Sequence, residues 1–133
     1  MLSDIDAFSA EARAASILSG LGFSAADQER PCAEFSGGWR MRVSIAQVLL
    51  AQPDVLLLDE PTNHLDTDTR EALEEALAGF TGTLIVVSHD RYFLNRICDR
   101  IFAFTGRAGG GDGELGQFLG NYDDYRYRVA AER

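Results

Sequence analysis

Apolar residues recur along the chain with two different periods. Ile5, Phe8, Ala12, Ala15 and Leu18 fall at helical spacing in an Ala-rich stretch that Gly20 and Gly22 close, which predicts a helix over Ile5 to Leu21. Ser24 to Glu29 predicts a second, short helix stopped by Pro31. Ser36 then stands where an N-cap would, and Met41 to Gln52 is a helix-forming run ended by Pro53. Because that run is apolar on most sides, it predicts a buried helix. Val55 to Leu58 is short and continuously apolar, the pattern of a strand covered on both faces.

A polar stretch from Asp59 to Asp66 leads into an amphipathic helix over Thr67 to Phe80. Ala72, Leu73, Ala76, Leu77 and Phe80 lie on one face of it, and Glu71, Glu74 and Glu75 on the other. Thr81-Gly82 breaks that helix, and Thr83 to Val87 is a second β-branched strand. Ser88-His89-Asp90 opens a helix to about Cys98, and Ile101 to Phe104 is a third strand. Gly106 to Gly113 reads as a glycine-rich surface turn, and Tyr122 to Glu132 as a polar helical tail. Strands alternating with helices predict βαβ units and a parallel sheet. No internal repeat is present.

With 133 residues the chain has room for one domain. At 46% hydrophobic and 25% charged it has the composition of a globular protein rather than a disordered one. The net charge of -9, from 21 acidic and 12 basic residues, argues against binding nucleic acid through bulk electrostatics. No direct DNA binding is expected. Arg40 with Arg42, and Arg126 with Arg128, leave room for a localised basic face. All the basic side chains are arginine; there is no lysine. Cys32 and Cys98 are far apart and read as two reduced, half-buried thiols. No apolar run approaches the roughly 20 residues that span a bilayer, and the start lacks a charged-then-apolar leader. A cytoplasmic location is the expectation.

Three groups of residues could carry chemistry. Asp59 and Glu60 follow an apolar strand, and in open α/β sheets the carboxyl ends of strands face the ligand. An unpaired carboxylate is costly to bury, so the pair either meets water, a metal or a phosphate there, or simply solvates a turn. Ser36-Gly37-Gly38 begins a helix at the cost of two poor helix formers. Those glycines ease a capped turn, or they leave bare N–H groups at a positive helix end as an anion site. His89 follows the second strand and serves either as a surface or capping residue or at a reaction centre. A zinc site from His64, His89 and nearby acids matches no common ligand spacing.

The string Leu58-Asp59-Glu60-Pro61-Thr62-Asn63-His64-Leu65-Asp66 resembles the Walker B motif and D-loop of the ATP-binding-cassette superfamily, and most closely its ABC-F class. Phe35-Ser36-Gly37-Gly38 resembles the family's Leu-Ser-Gly-Gly signature with phenylalanine for leucine, an apolar anchor either way. Ser88-His89-Asp90-Arg91-Tyr92-Phe93-Leu94 resembles the switch-histidine segment, and Gly120-Asn121-Tyr122 the segment that follows the ATPase core. These resemblances span Glu11 to about Tyr127.

The resemblance implies an α/β fold, a P-loop NTPase-like parallel sheet flanked by helices, incomplete, with an N-terminal helical signature subdomain. The expected parts are a signature portion over 1–53, the Walker B and switch part of the core over 54–118, and a tail over 119–133. By the same resemblance the cofactors are ATP and Mg²⁺. Asp59 would hold Mg²⁺ through water, and Glu60 and His89 would be catalytic, Glu60 polarising the attacking water and His89 touching the γ-phosphate. Phe35, Ser36, Gly37, Gly38 and Asp66 would form the nucleotide-binding face, Ser-Gly-Gly contacting ATP held on a facing domain; His64 would be a loop residue without chemistry. The expected partners are a second nucleotide-binding domain and the ribosome, not a membrane.

An ATP site also needs G-x-x-x-x-G-K-[ST], and a sequence without lysine cannot contain it. Gly109-Gly110-Gly111-Asp112-Gly113 is acidic and no substitute. The chain is therefore expected to be a fragment, by genetic or experimental truncation, inactive alone and marginally stable, with an unpaired strand edge and exposed apolar surface. Two alternatives stand beside this reading: the ATPase subunit of a membrane transporter, and a non-catalytic remnant that binds a partner.

Overall fold

The Ala-rich stretch forms α1, Asp4–Gly20, in a computed structural model that describes residues 4–105 and 113–132. The chain divides after Val87 into two units. In the first, α1 is followed by the single turn α2 (Ala25–Gln28), which Ser24 and Asp27 start with a reciprocal capping box. A 3₁₀ turn at Cys32–Glu34 leads to α3, Gly37–Leu50. This helix begins directly after Ser36, the residue expected as its N-cap, so both glycines are helical. It ends before Pro53, where Gln52 takes a left-handed φ of 50°.

Strand β1 (Val55–Asp59), helix α4 (Thr67–Ala78) and strand β2 (Thr83–Val87) form the predicted βαβ unit. The two strands pair in parallel with Leu57 opposite Ile85 and Asp59 opposite Val87. The core of the first unit gathers Leu21, Phe23, Phe35 and Ala46, with Trp39, Val43, Ala72 and Ala76 packed against it. Phe23 meets the edges of both Phe35 and Trp39, at 5.5 and 4.9 Å between ring centroids.

Three expectations about burial need correction. Helix α3 buries only Arg42 and Ala46, while Met41 and Val48 are exposed, so it lies at the surface along one side. Strand β1 is covered on one face only: Leu56 is buried, but Leu57 is 64% exposed, and Val55, Ile85 and Val87 are exposed on the same face. Exposed apolar surface of this kind was expected from the missing loop, while the apolar run alone predicted two covered faces. Glu74, placed on the polar face of α4 by its spacing, is buried beside Leu73 and Leu77.

The second unit holds α5 (Arg91–Ile97), β3 (Arg100–Thr105), β4 (Glu114–Leu119) and α6 (Tyr122–Ala131). The third strand pairs antiparallel with β4 instead of joining the parallel sheet, Phe104 opposite Leu115. Gly120, at φ 113°, turns the chain into α6, which Asn121 and Asp124 start with a second capping box. Asn95 and Asp123 exchange two hydrogen bonds of 2.8 and 2.9 Å and tie α5 to α6. Phe93 is fully buried, whereas Phe102, Phe104, Leu115 and Leu119 leave one face of the ribbon exposed. The glycine-rich turn expected over 106–113 lies, except for Gly113, outside the described residues. Among the described residues no helix is long and apolar enough to cross a membrane.

Candidate functional site

Asp59 is the last residue of β1 and is exposed at its carboxyl end, level with Val87. Glu60, the next residue, turns the chain sharply. It adopts a left-handed φ of 46°, and its N–H donates to the Val87 carbonyl at 2.7 Å. A non-glycine residue held there costs on the order of 1–2 kcal/mol, and such strain concentrates at functional sites. The turn is kept by the Asn63 N–H on the Glu60 carbonyl and the Leu65 N–H on the Thr62 carbonyl, with the Thr62 side chain buried. His64 is exposed and also left-handed, at φ 61°.

Asp66 closes the turn as the N-cap of α4, its Oδ1 accepting from the Thr69 N–H at 2.8 Å. Hydrogen bonds from Thr69, side chain then backbone, hold the exposed Asp66 carboxyl below the usual carboxylate range, with help from the Arg42 charge. This acid is negative at neutral pH.

Ser36 occupies the N-cap of α3 in extended conformation, but its side chain makes no capping hydrogen bond. Ser36 is exposed and leaves the first N–H groups of α3 without a side-chain cap. Gly38 faces Asp66 across the unit. A methyl group built on Gly38 would stand 3.6 Å from Thr69 Oγ1 and 3.9 Å from Asp66 Oδ2. Ser36, Gly37, Gly38 and Asp66 thus share one exposed region of the first unit. Phe35 does not join them: its side chain is buried between Phe23 and Trp39, with the Arg30 guanidinium 4.7 Å over its ring. It anchors the segment from below.

In the second unit, His89 is exposed immediately before α5. Its neighbours fix the turn: Asp90 caps α5 by accepting from the Tyr92 and Phe93 N–H groups at 3.1 Å, and its own N–H donates to Ser88 Oγ at 3.0 Å. Along the chain His89 lies two residues beyond Val87, the register partner of Asp59.

A cleft of about 770 Å³ opens at the opposite, amino ends of β1 and β2, against Pro53, Asp54, Gly82 and Thr83, and contains none of the predicted site residues. Among the described residues no cluster of three or more His, Cys, Asp or Glu could hold a metal by itself. An exposed lone Asp59 still fits Mg²⁺, which keeps several waters and takes one or two carboxylates beside phosphate oxygens.

One residue near the site was not assigned to it by sequence. Arg42, read as half of a basic face with Arg40, is buried, because α3 turns it inward toward Thr69; Arg40 is exposed. Its place four residues before the buried Ala46 was the available signal. Cys32, expected half-buried, is exposed, while Cys98 is half-buried and its thiol is raised by burial and then by the Asp99 charge.

The profile of a family described as ABC transporter matches residues 3–63. A probable ATP-binding protein, YheS of Escherichia coli K12, is 48% identical over 129 residues, which is 97% of this chain and 19% of that protein. ATP-binding cassette sub-family F member 2 of Bos taurus is also 48% identical, over 93% of this chain and 19% of its own length. The chain thus spans about a fifth of the curated relatives it matches. Among solved structures, an archaeal ribosome recycling factor crystallised with a ribosomal stalk protein aligns at a TM-score of 0.57 with 28% identity, over 92% of this chain and 27% of that one. The ATP-binding subunit of an ABC transporter aligns at 0.67 with 23% identity, over 97% and 50%, and shows the fold.

Proposed function

The chain belongs to the ATP-binding-cassette family, within which its relatives are F-type ATP-binding proteins, and from that premise we propose that it supplies the hydrolytic and signature parts of an ABC-F ATPase. On this reading residues 1–53 present the signature, 54–118 carry the Walker B carboxylates and the switch histidine, and 119–133 form the tail.

The observation that carries the reading is the placement of Gly38 beside Asp66 on one exposed region, 28 residues apart in sequence. Both elements are the ones the family resemblance assigns to the nucleotide. Bound Mg²⁺–ATP would bring a polarised γ-phosphate; the chain's own residues do the rest. Ser36 and the N–H groups beginning α3 grip the phosphate of ATP carried by a facing domain, at a positive helix end. By the family resemblance, Asp59 would hold Mg²⁺ through water, Glu60 would orient the attacking water as general base, and His89 would donate a hydrogen bond to a γ-phosphate. Closure on ATP is the switch, and hydrolysis resets it.

Without lysine the chain cannot build a P-loop, so it works with one supplied by another polypeptide segment or partner. A ribosome-linked setting accords with the archaeal ribosome recycling factor, to which the chain is similar at 28% identity.

Sedimentation of the chain with a separately purified P-loop-bearing domain of an ABC-F relative tests the reading. Association is expected with a non-hydrolysable ATP analogue and not with ADP, and Ser36→Arg abolishes it. Nucleotide-independent association, or none, refutes the reading. So does multi-turnover ATP hydrolysis by the chain alone that Glu60→Gln abolishes.

A further inference from the structure

Arg42 lies on α3 yet is only 8% exposed, and burying a guanidinium is costly unless its donors are matched. They are matched from two other elements. Nη1 donates to the Leu21 carbonyl, just past the end of α1, at 3.0 Å. Nε and Nη2 both donate to Thr69 Oγ1, in the first turn of α4, at 3.2 Å. The guanidinium also lies 4.4 Å over the Trp39 ring, three residues back on its own helix. Gly22 makes the room: it sits at φ 94°, and a Cβ there would stand 2.9 Å from Nη1.

Packing alone would not select this side chain. A methionine fills such a space without bringing a charge, whereas arginine's planar fork is being used for its directed donors. The atom it grips matters most. Thr69 Oγ1 is the group that faces Gly38, and the Thr69 N–H holds Asp66 Oδ1. One buried guanidinium is therefore joined through a single residue to the glycines that begin α3 and to the carboxylate that begins α4.

We propose that Arg42 is a positioning residue which, by gripping Thr69 and the Leu21 carbonyl, fixes the spacing between the Gly37-Gly38 backbone and the Asp66 carboxylate. The inference rests on the reading in which that region meets a nucleotide, but its geometric claim is separate.

The test uses the full chain and four variants. Thr69→Val keeps the shape and removes the acceptor; Arg42→Met keeps the stem and removes the fork; Arg42→Lys keeps the charge. Val43→Ala, a partly buried neighbour on the same helix, removes packing only. Thr69→Val and Arg42→Met weaken ATP-dependent association with the P-loop-bearing domain by about tenfold, Arg42→Lys recovers part of the loss, and Val43→Ala stays within about twofold whatever its melting temperature. By carboxyl NMR, Asp66 titrates higher in Arg42→Met than in the parent chain and is unmoved by Val43→Ala.

Two results overturn the proposal: Thr69→Val and Arg42→Met leaving association within about twofold, or Val43→Ala weakening it as much as Arg42→Met. If the parent chain does not associate on ATP, the functional reading fails. The Asp66 titration and the exchange rate of the Thr69 amide then decide the positioning claim alone, an unchanged pair of values in Arg42→Met counting against it.

Discussion

Gly37 and Gly38 open a helix where neither is required by backbone geometry. Neither lies in the left-handed region, a methyl on Gly37 would meet nothing within 4 Å, and one on Gly38 would make ordinary contacts at 3.6 and 3.9 Å. Replacing a glycine by alanine at such a position stabilises by about 0.4–1 kcal/mol, largely by restricting the unfolded chain. The double variant Gly37→Ala, Gly38→Ala should therefore gain about 1–2 kcal/mol, a rise in melting temperature of about 3–8 °C for a chain of this size. Function should move the other way. The added methyls occupy the region a phosphate must approach, so ATP-dependent association with a P-loop-bearing domain should weaken by about tenfold or more. Thermal melts by circular dichroism and sedimentation at fixed ATP-analogue concentration read the two effects separately. A variant that is less stable than the parent, or one that associates equally well, would show that the glycines are held by the fold and not by a ligand.

Three further outcomes follow from burial and backbone. Gly22→Ala has the opposite sign: at φ 94° and 2.9 Å from Arg42 Nη1 it should cost about 1–3 kcal/mol, and a melt unchanged from the parent would contradict the clamp geometry. Leu73→Ala, at 2% exposure, should lose about 2–5 kcal/mol, whereas Leu57→Glu, at 64%, should stay within about 0.5 kcal/mol and lower the binding of a hydrophobic dye. Equal losses at the two sites would show that the open sheet face is covered in solution. Iodoacetamide should modify Cys32 before Cys98: the half-buried Cys98 thiol's raised pKa leaves less thiolate at any pH below it, and the gap should narrow as pH rises through that value. Faster modification of Cys98 would contradict its burial.

Helices were legible wherever one physical signal dominated. Ser24 and Asp27 cap locally, so α2 could be read from four residues, and the apolar spacing of α4 gave its buried side through Leu73 and Leu77. Glu74 shows the limit of that method: periodicity assigns a face by angle, but burial depends on which neighbours arrive from elsewhere. Likewise Val55 to Leu58 announced a strand by composition, while its coverage depends on what packs against it, and one face is open. Strand β4 was missed because the glycines before it and Gly116 within it read as a loop, and polar Gln117 between Leu115 and Leu119 breaks the apolar alternation.

Asp59, Glu60 and Asp66 were placed by a contiguous string, and the structure gives that string a strained turn at Glu60 and a cap at Asp66. Contacts made across long sequence separations were not legible: the grip of Arg42 on Thr69 spans 27 residues, and an arginine beside another arginine looks like solvated charge. Arg42 is legible only once its helix is docked.

The exposed region around Ser36, Gly37, Gly38 and Asp66 is proposed to meet a nucleotide held by another P-loop. Amide spectra of the isotope-labelled chain, recorded with an unlabelled P-loop-bearing domain and a non-hydrolysable ATP analogue, test it most directly. The Gly37, Gly38 and Thr69 signals should shift with the ATP analogue and return with ADP. Shifts confined to the open face of Leu57 and Ile85, or the same shifts with either nucleotide, would contradict it.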